Sequence, residues 1–259
     1  MAIFRTLLLA IVAGALLAAT VFGVSRYRDQ QLFREVIAAN VEAPVGTGRF
    51  VEQLNNWVYH KEGFAQCEAR YVWDPLGATP KQIFDAGGDC SDKSRLLSAM
   101  LDSVGMESTL VMLQPCRTCA STHTIVNAEV EGDVVAADPV YDIVWPNAAG
   151  GYHGVADIRD DNDILMDRLA ELQRLRPVPD KINFHSPDEM KYGFPKTVNW
   201  DRDGVFAAMG SAVAVFTDEP YLVQRPRLFE DPKLFLMWAM IGLAAGAALL
   251  LLIFRRRLD

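Results

Sequence analysis

The run Gly87-Gly88-Asp89-Cys90-Ser91-Asp92-Lys93-Ser94 places a nucleophile beside the local means of activating it. Two glycines permit a tight turn, and Asp89 can cap a helix that begins at the next residue. Leu96, Leu97, Met100, Leu101 and Val104 then share one face at helical spacing, and Gly105 stands where a C-terminal cap is expected. Cys90 is thus predicted in the first turn of a helix packed on the core. Backbone N–H groups without carbonyl partners and the positive end of the helix dipole meet there, a setting that favours thiolate over thiol. A cysteine by itself equally suits a small buried hydrophobe, so the chemistry needs partners.

Two strands supply them. Residues 108–113 read as the first. In the second, residues 123–130, Thr124, Val126, Ala128 and Val130 alternate with His123, Ile125, Asn127 and Glu129. A third short run, 134–137, ends in Asp138-Pro139. If the chain turns back near Glu131-Gly132-Asp133, the start of one strand and the end of the next lie side by side. His123 and Asp138 then meet, as a Cys–His–Asp triad requires: the imidazole takes the thiol proton, and the carboxylate fixes its tautomer and steadies its charge. Asp142 is the fallback for Asp138.

The whole pattern, from Gly87-Gly88-Asp89-Cys90-Ser91-Asp92-Lys93-Ser94 through a helix ending at Gly105-Met106 to His123 and Asp138-Pro139, resembles the bacterial transglutaminase-like superfamily over roughly residues 80–145. The resemblance implies an α+β, papain-like core in which a cysteine-bearing helix packs on a small antiparallel sheet bearing the other two residues. It also implies that Cys90 attacks an amide or ester carbonyl, His123 acts as general base and acid, and Asp138 orients the histidine. The sequence departs from the family in two places. Thr124 and Ile125 follow the histidine where many members carry a small residue and a tryptophan, and Cys116-Arg117-Thr118-Cys119 is inserted just before the histidine strand. An oxyanion donor is expected from a backbone N–H near Cys90, with Gln66, Trp57 and Trp73 as side-chain candidates.

The inserted cysteines admit other readings. Cys116, Cys119 and His123 have metal-ligand spacing, and Cys67 or Cys90 could complete a zinc site. In an oxidising compartment a disulfide between Cys116 and Cys119, or between one of them and Cys67, is the plainer account. His60, His153 and His185 show no partner pattern, and the acids of residues 157–167 lack the glycine turn of a calcium loop. The triad chemistry calls for no cofactor and no metal.

Around this core the chain is organised by its apolar ends. Residues 6–24 and 234–254 carry no charge, and roughly 20 apolar residues suffice for a helix to cross a bilayer. The divisions expected are a transmembrane helix or signal anchor over 1–25, a juxtamembrane helix and linker over 26–48, and a transglutaminase-like domain over 49–150. An extension without assigned structure over 151–233 follows, with an amphipathic helix near 157–176, then a second transmembrane helix over 234–254 and a basic tail over 255–259. Met1 to Arg5 followed by an apolar run also fits a cleavable signal peptide. Arg255, Arg256 and Arg257 argue for cytoplasmic termini with the main domain outside, anchored in an inner (plasma) membrane.

Residues 25–233 hold 21 basic and 32 acidic side chains, a net charge of −11, which argues against nucleic-acid partners. The function expected is acyl transfer or hydrolysis on amide bonds of a protein or peptide in the cell envelope, by a peptidase, an amidase or a protein-glutamine transferase. The alternatives are a non-catalytic scaffold bound to envelope proteins, and a zinc-binding domain.

Overall fold

The computed structural model describes residues 2–61, 67–72, 76–175 and 191–256. Two long helices, α1 (Ala2–Asn40) and α8 (Pro232–Arg256), are each long and apolar enough to cross a membrane. They pack on each other through small residues. Ala15 and Ala19 of α1 and Ala244 and Ala247 of α8 are buried, and a Cβ on Gly23 would lie 3.2 Å from the Met237 sulfur. Close backbone approach of this kind is how helices associate in lipid, where apolar burial against a partner brings little.

A juxtamembrane helix follows the first apolar stretch, and irregular residues 41–47 lead from it to the next helix. Residues 26–40 continue α1 without a break, since nothing between Val24 and Asn40 is a helix breaker. Phe33 and Ile37 of this continuation are buried in the core of the domain.

The domain itself has a cysteine-bearing helix on an antiparallel sheet, the α+β arrangement expected. Helices α2 (Gly48–His60), α3 (Pro80–Ala86) and α4 (Cys90–Ser103) lead into a four-stranded sheet in the order β1-β2-β3-β4. The strands are β1 (Ser108–Leu113), β2 (His123–Val130), β3 (Asp133–Asp138) and a short β4 (Ile143–Val144). Strands β2 and β3 join through a two-residue turn at Glu131 and Gly132, with φ of 42° and 85°, and Val130 pairs with Asp133. Positive φ at both central residues is the turn whose twist matches that of a hairpin.

Side-chain alternation gives the sheet two apolar faces. Val126, Ala128, Val130, Val135 and Ala137 pack with α4, α2 and the end of α1. On the other face Val111, Leu113, Ile125 and Ala136 pack with α5 (Val155–Asp160) and α6 (Asn162–Leu175). The single helix expected near 157–176 is divided at Asp161, which takes an extended conformation at φ −132° and ψ 98°. Each half can then turn its own apolar residues inward: Val155 and Ile158 in α5, and Leu165, Leu169 and Leu172 in α6. Leu175, at the end of α6, is exposed. A further helix, α7 (Gly204–Val213), and a 3-10 turn at Arg227–Phe229 lie in the stretch that the sequence left unassigned.

Leu97, in the middle of α4, is fully buried. Truncation by Leu97→Ala is expected to lower the unfolding free energy by about 2–5 kcal/mol, measured by chemical denaturation of the solubilised protein. A loss below about 1 kcal/mol would show that this side of α4 is not part of a close-packed core.

Candidate active site

Gly87, Gly88, Asp89, Asp92, Lys93 and Ser94 each have a structural task that helps to fix Cys90 in place. Gly87 ends α3 with φ 78°, and a Cβ on Gly88 would fall 2.1 Å from that of Asp92, so neither position accepts a larger residue without rearrangement. The Asp89 carboxylate accepts the Asp92 N–H at 3.1 Å and caps α4, leaving Cys90 as the first helical residue. Asp92 is buried and accepts the Cys67 N–H at 3.0 Å; burial raises its pKa above the usual carboxylate range. The Lys93 ammonium is buried as well, and donates to the carbonyls of Val58, Tyr59 and Lys61 at the end of α2. Its desolvation lowers its pKa to about 8. Ser94 Oγ donates to the Thr124 carbonyl at 2.9 Å and ties the helix to the start of β2.

The hairpin brings the other two residues together. His123 and Asp138 both point to the sheet face that carries Ile125 and Ala136. His123 Nε2 lies 2.7 Å from Asp138 Oδ2, with the imidazole only 4% exposed and the carboxylate at 0%. The second carboxylate oxygen accepts the N–H groups of Val140 at 2.9 Å and Tyr141 at 3.3 Å, and the Asp138 carbonyl accepts the amide of buried Asn55 at 3.2 Å. Burial disfavours the imidazolium, but the charge and hydrogen bond of Asp138, followed by the hydrogen bond and charge of Cys90, outweigh it and push the His123 pKa up to about 10. With Nε2 committed to Asp138, Nδ1 is the ring nitrogen left to face the thiol. Cys90 is half-buried and packs against the same apolar cluster as the pair.

Aromatic residues wall the pair, and their part was not foreseen in the sequence. The Tyr141 ring lies 5.2 Å from the imidazole, and Trp145 and Tyr192 meet edge-to-face at 6.0 Å. Burial, and then the Asp138 charge, hold the Tyr192 pKa well above its ordinary value. Tyr141 and Trp145 follow Asp138 closely enough for the sequence to hint at them; Tyr192 lies 54 positions beyond it, with no such signal.

Other candidates fall elsewhere. Asp142, with φ 53°, receives the side-chain amides of Asn55 and Asn56 at 3.4 and 2.8 Å, which ties it to α2. Trp57 stacks on Phe84 at 5.9 Å and is committed to the contact between α2 and α3. Gln66 and Trp73, like His185, lie outside the described residues. Cys116 and Cys119 are joined in a disulfide. Their sulfurs are bonded to each other and Nε2 of His123 to Asp138, so Cys116, Cys119 and His123 do not form a zinc-binding set. Cys67 is a buried free thiol whose backbone, not its sulfur, serves the site.

Beside the α4 start lies a cleft of about 500 Å³, bordered by Asp89, Ser91, Ser121, Thr124, Arg225 and Phe229. It runs from the first turn of α4 to the segment leading into α8.

The His123 pair carries a pH signature. Its folded pKa is raised, so its contribution to stability is complete below the unfolded value near 6.5 and is lost as pH rises through about 10. Between those limits the folded state holds one more proton than the unfolded state, and stability falls with pH by up to about 1.4 kcal/mol per unit. Unfolding curves of the wild type and His123→Gln, compared across this window, are expected to converge as pH rises. Parallel curves would show that the imidazole is neutral when folded.

No family model matches the chain, and no curated protein matches it in sequence. Among solved structures, the EGTA-treated form of Legionella pneumophila LapG aligns with 56% of this chain and 79% of its own, at 16% identity and a TM-score of 0.34. A second LapG structure covers 51% of this chain and 75% of its own at 16% identity and a TM-score of 0.33. The calcium-bound form covers 53% and 81% at 15% identity and a TM-score of 0.33. The likeness is a distant one and concerns the fold alone.

Proposed function

We propose that the chain is a membrane-anchored cysteine enzyme of transglutaminase-like type that cleaves or transfers the acyl group of amide bonds through Cys90, His123 and Asp138. The observation that carries this reading is the buried 2.7 Å contact between His123 and Asp138, with Cys90 at the start of α4 packed on the apolar cluster of the same sheet face. An ordinary strand-end histidine needs no buried carboxylate, and a structural cysteine needs no imidazole.

The geometry supports the following sequence. The Cys90 sulfur attacks the carbonyl carbon of the amide, and the developing oxyanion is met by N–H groups that a helix start leaves without intrahelical partners. Imidazolium Nδ1 gives its proton to the departing amine as the C–N bond breaks, and a thioester remains on Cys90. An incoming water or amine gives a proton to the imidazole and attacks the thioester, which restores the thiol pair and releases acid or a new amide. Asp138 keeps Nε2 occupied throughout, so that Nδ1 is always the nitrogen that moves the proton. Water is the default acceptor in a wet compartment, which favours peptidase or amidase over crosslinking.

Two observations support an assignment of compartment. The Cys116–Cys119 disulfide suits an oxidising environment, and three arginines just past the apolar stretch 234–254 favour a cytoplasmic C-terminus. Two spans then put the catalytic domain on the outer side of the inner membrane.

Alkylation by iodoacetamide tests the chemistry. Cys90 is expected to react near neutrality at least about tenfold faster than in His123→Ala, because the thiolate is the reacting form and the imidazole sustains it. Equal rates in the two proteins, or a Cys90 no faster than a cysteine in a denatured peptide, would leave a binding scaffold instead. Topology is tested separately: a reporter fused after residue 150 is expected to be active only outside the cytoplasm, and activity inside would reverse the orientation.

A further inference from the structure

Helix α7 is out of keeping with the surface on which it lies. Residues 204–216 contain no charged side chain, and the one hydroxyl, Ser211, bonds the Ala207 carbonyl at 2.9 Å within the helix. Asp203 caps the helix through the N–H groups of Val205 and Phe206. Gly210 rests on Trp200, where a Cβ would fall 2.7 Å from the indole, and Phe206 lies 6.4 Å from the same ring. Much of the rest faces outward: Val205 is 70% exposed, Met209 51%, Val215 77% and Phe216 88%. A helix apolar on all sides is stable inside a core or a membrane, not in water. At 13 residues this stretch is too short to span a bilayer, and its length suits an element lying at the interface.

Its position supplies the occupant. The excursion that carries α7 leaves from the outer edge of β1, where Lys196 and Met112 exchange N–H···O=C bonds of 2.8 and 3.0 Å. It returns to the same edge, closed at its base by Thr197, which bonds the carbonyls of Tyr221 and Val223. Gln224 and Arg225 then bond Ser108 and Thr109 on β1, and the chain enters α8 at Pro232. The strand from which α7 hangs is therefore the one beside the segment that leads into a span. Acids flank the helix at Asp201, Asp203, Asp218 and Glu219, so charge does not draw it to anionic lipid.

We infer that α7 and residues 214–216 insert into the interfacial region of the same bilayer that holds α1 and α8, driven by apolar contact alone. The inference rests on the membrane reading above. It gives the domain a third point of contact and lays the β1 edge along the membrane.

Single cysteines placed at Met209, Phe216, Leu250 and Asp163 of the full-length chain, in a Cys67→Ser, Cys90→Ser background, can be spin-labelled in phosphatidylcholine vesicles. Collision with oxygen, which concentrates in lipid, is compared with collision with a water-soluble nickel chelate. The labels at 209 and 216 are expected to show an oxygen-to-nickel ratio at least about tenfold above that at 163, at a depth of about 5–10 Å. Aqueous behaviour at 209 and 216 with a lipid signal at 250 overturns the inference and leaves the anchors standing. Low collision with both reagents at 209 and 216 overturns it too, by showing that protein covers the helix. An aqueous label at 250 would remove the anchoring itself, and the inference with it.

Discussion

An imidazolium and a carboxylate held together where water does not reach are the constraint on which this structure depends. Two charges taken out of water cost several kcal/mol each, and their attraction offsets that cost only when the remaining lone pairs are also bonded. The Asp138 carboxylate meets the condition through three donors, the imidazole and two backbone N–H groups just beyond it, while the Asn55 amide serves the backbone carbonyl of the same residue. A slip of one residue between β2 and β3 would turn Asp138 to the opposite face of the sheet and leave both charges unpaired. The two-residue turn at Glu131-Gly132 is therefore part of the site as much as the residues that it brings together.

The thiol is located by a different means. Cys90 takes no part in the sheet, and its position depends on α4, which is tied to its surroundings at three successive residues, Asp92, Lys93 and Ser94. Asp92 holds the Cys67 backbone, Lys93 closes the end of α2, and Ser94 reaches the β2 backbone at the residue after His123. Farther along, Asp102 accepts from Arg26 and Gln30 of α1 and pairs with Arg227, while Arg34 caps the Ser103 carbonyl. The helix is thereby bound to α1 and to the 3-10 turn at Arg227–Phe229 as well as to the sheet.

Local signals in the sequence revealed those parts of the site that local rules govern. Asp89 as a cap, Cys90 in a first turn, the period-two alternation of β2 and the hairpin at Gly132 are all written within a few residues of where they act. What stayed hidden depends on contacts between distant segments. Lys93 reads as a solvated charge until the end of α2 is seen against it, and Tyr192 has no meaning until its segment folds under the sheet. The continuity of α1 through residue 40 was obscured because its polarity changes at Ser25, although no residue there interrupts a helix. The division at Asp161 was hidden because one helical periodicity fits residues on both sides of it. Trp57 was considered for its chemistry, and the structure uses it for packing.

The unbroken course of α1 bears on how such a molecule would find its substrate. At 39 residues it is roughly 58 Å long, about twice the thickness of the hydrocarbon core, and its upper part is embedded among Phe50, Leu97 and their neighbours. A globule on a slack tether samples a hemisphere of volume. One fixed to a rigid post samples only a plane, at a single altitude, and meets other residents of that plane by lateral diffusion. On the function proposed above, the search would be reduced from three dimensions to two, and scissile bonds displaced from that altitude would be passed over however well their side chains fit.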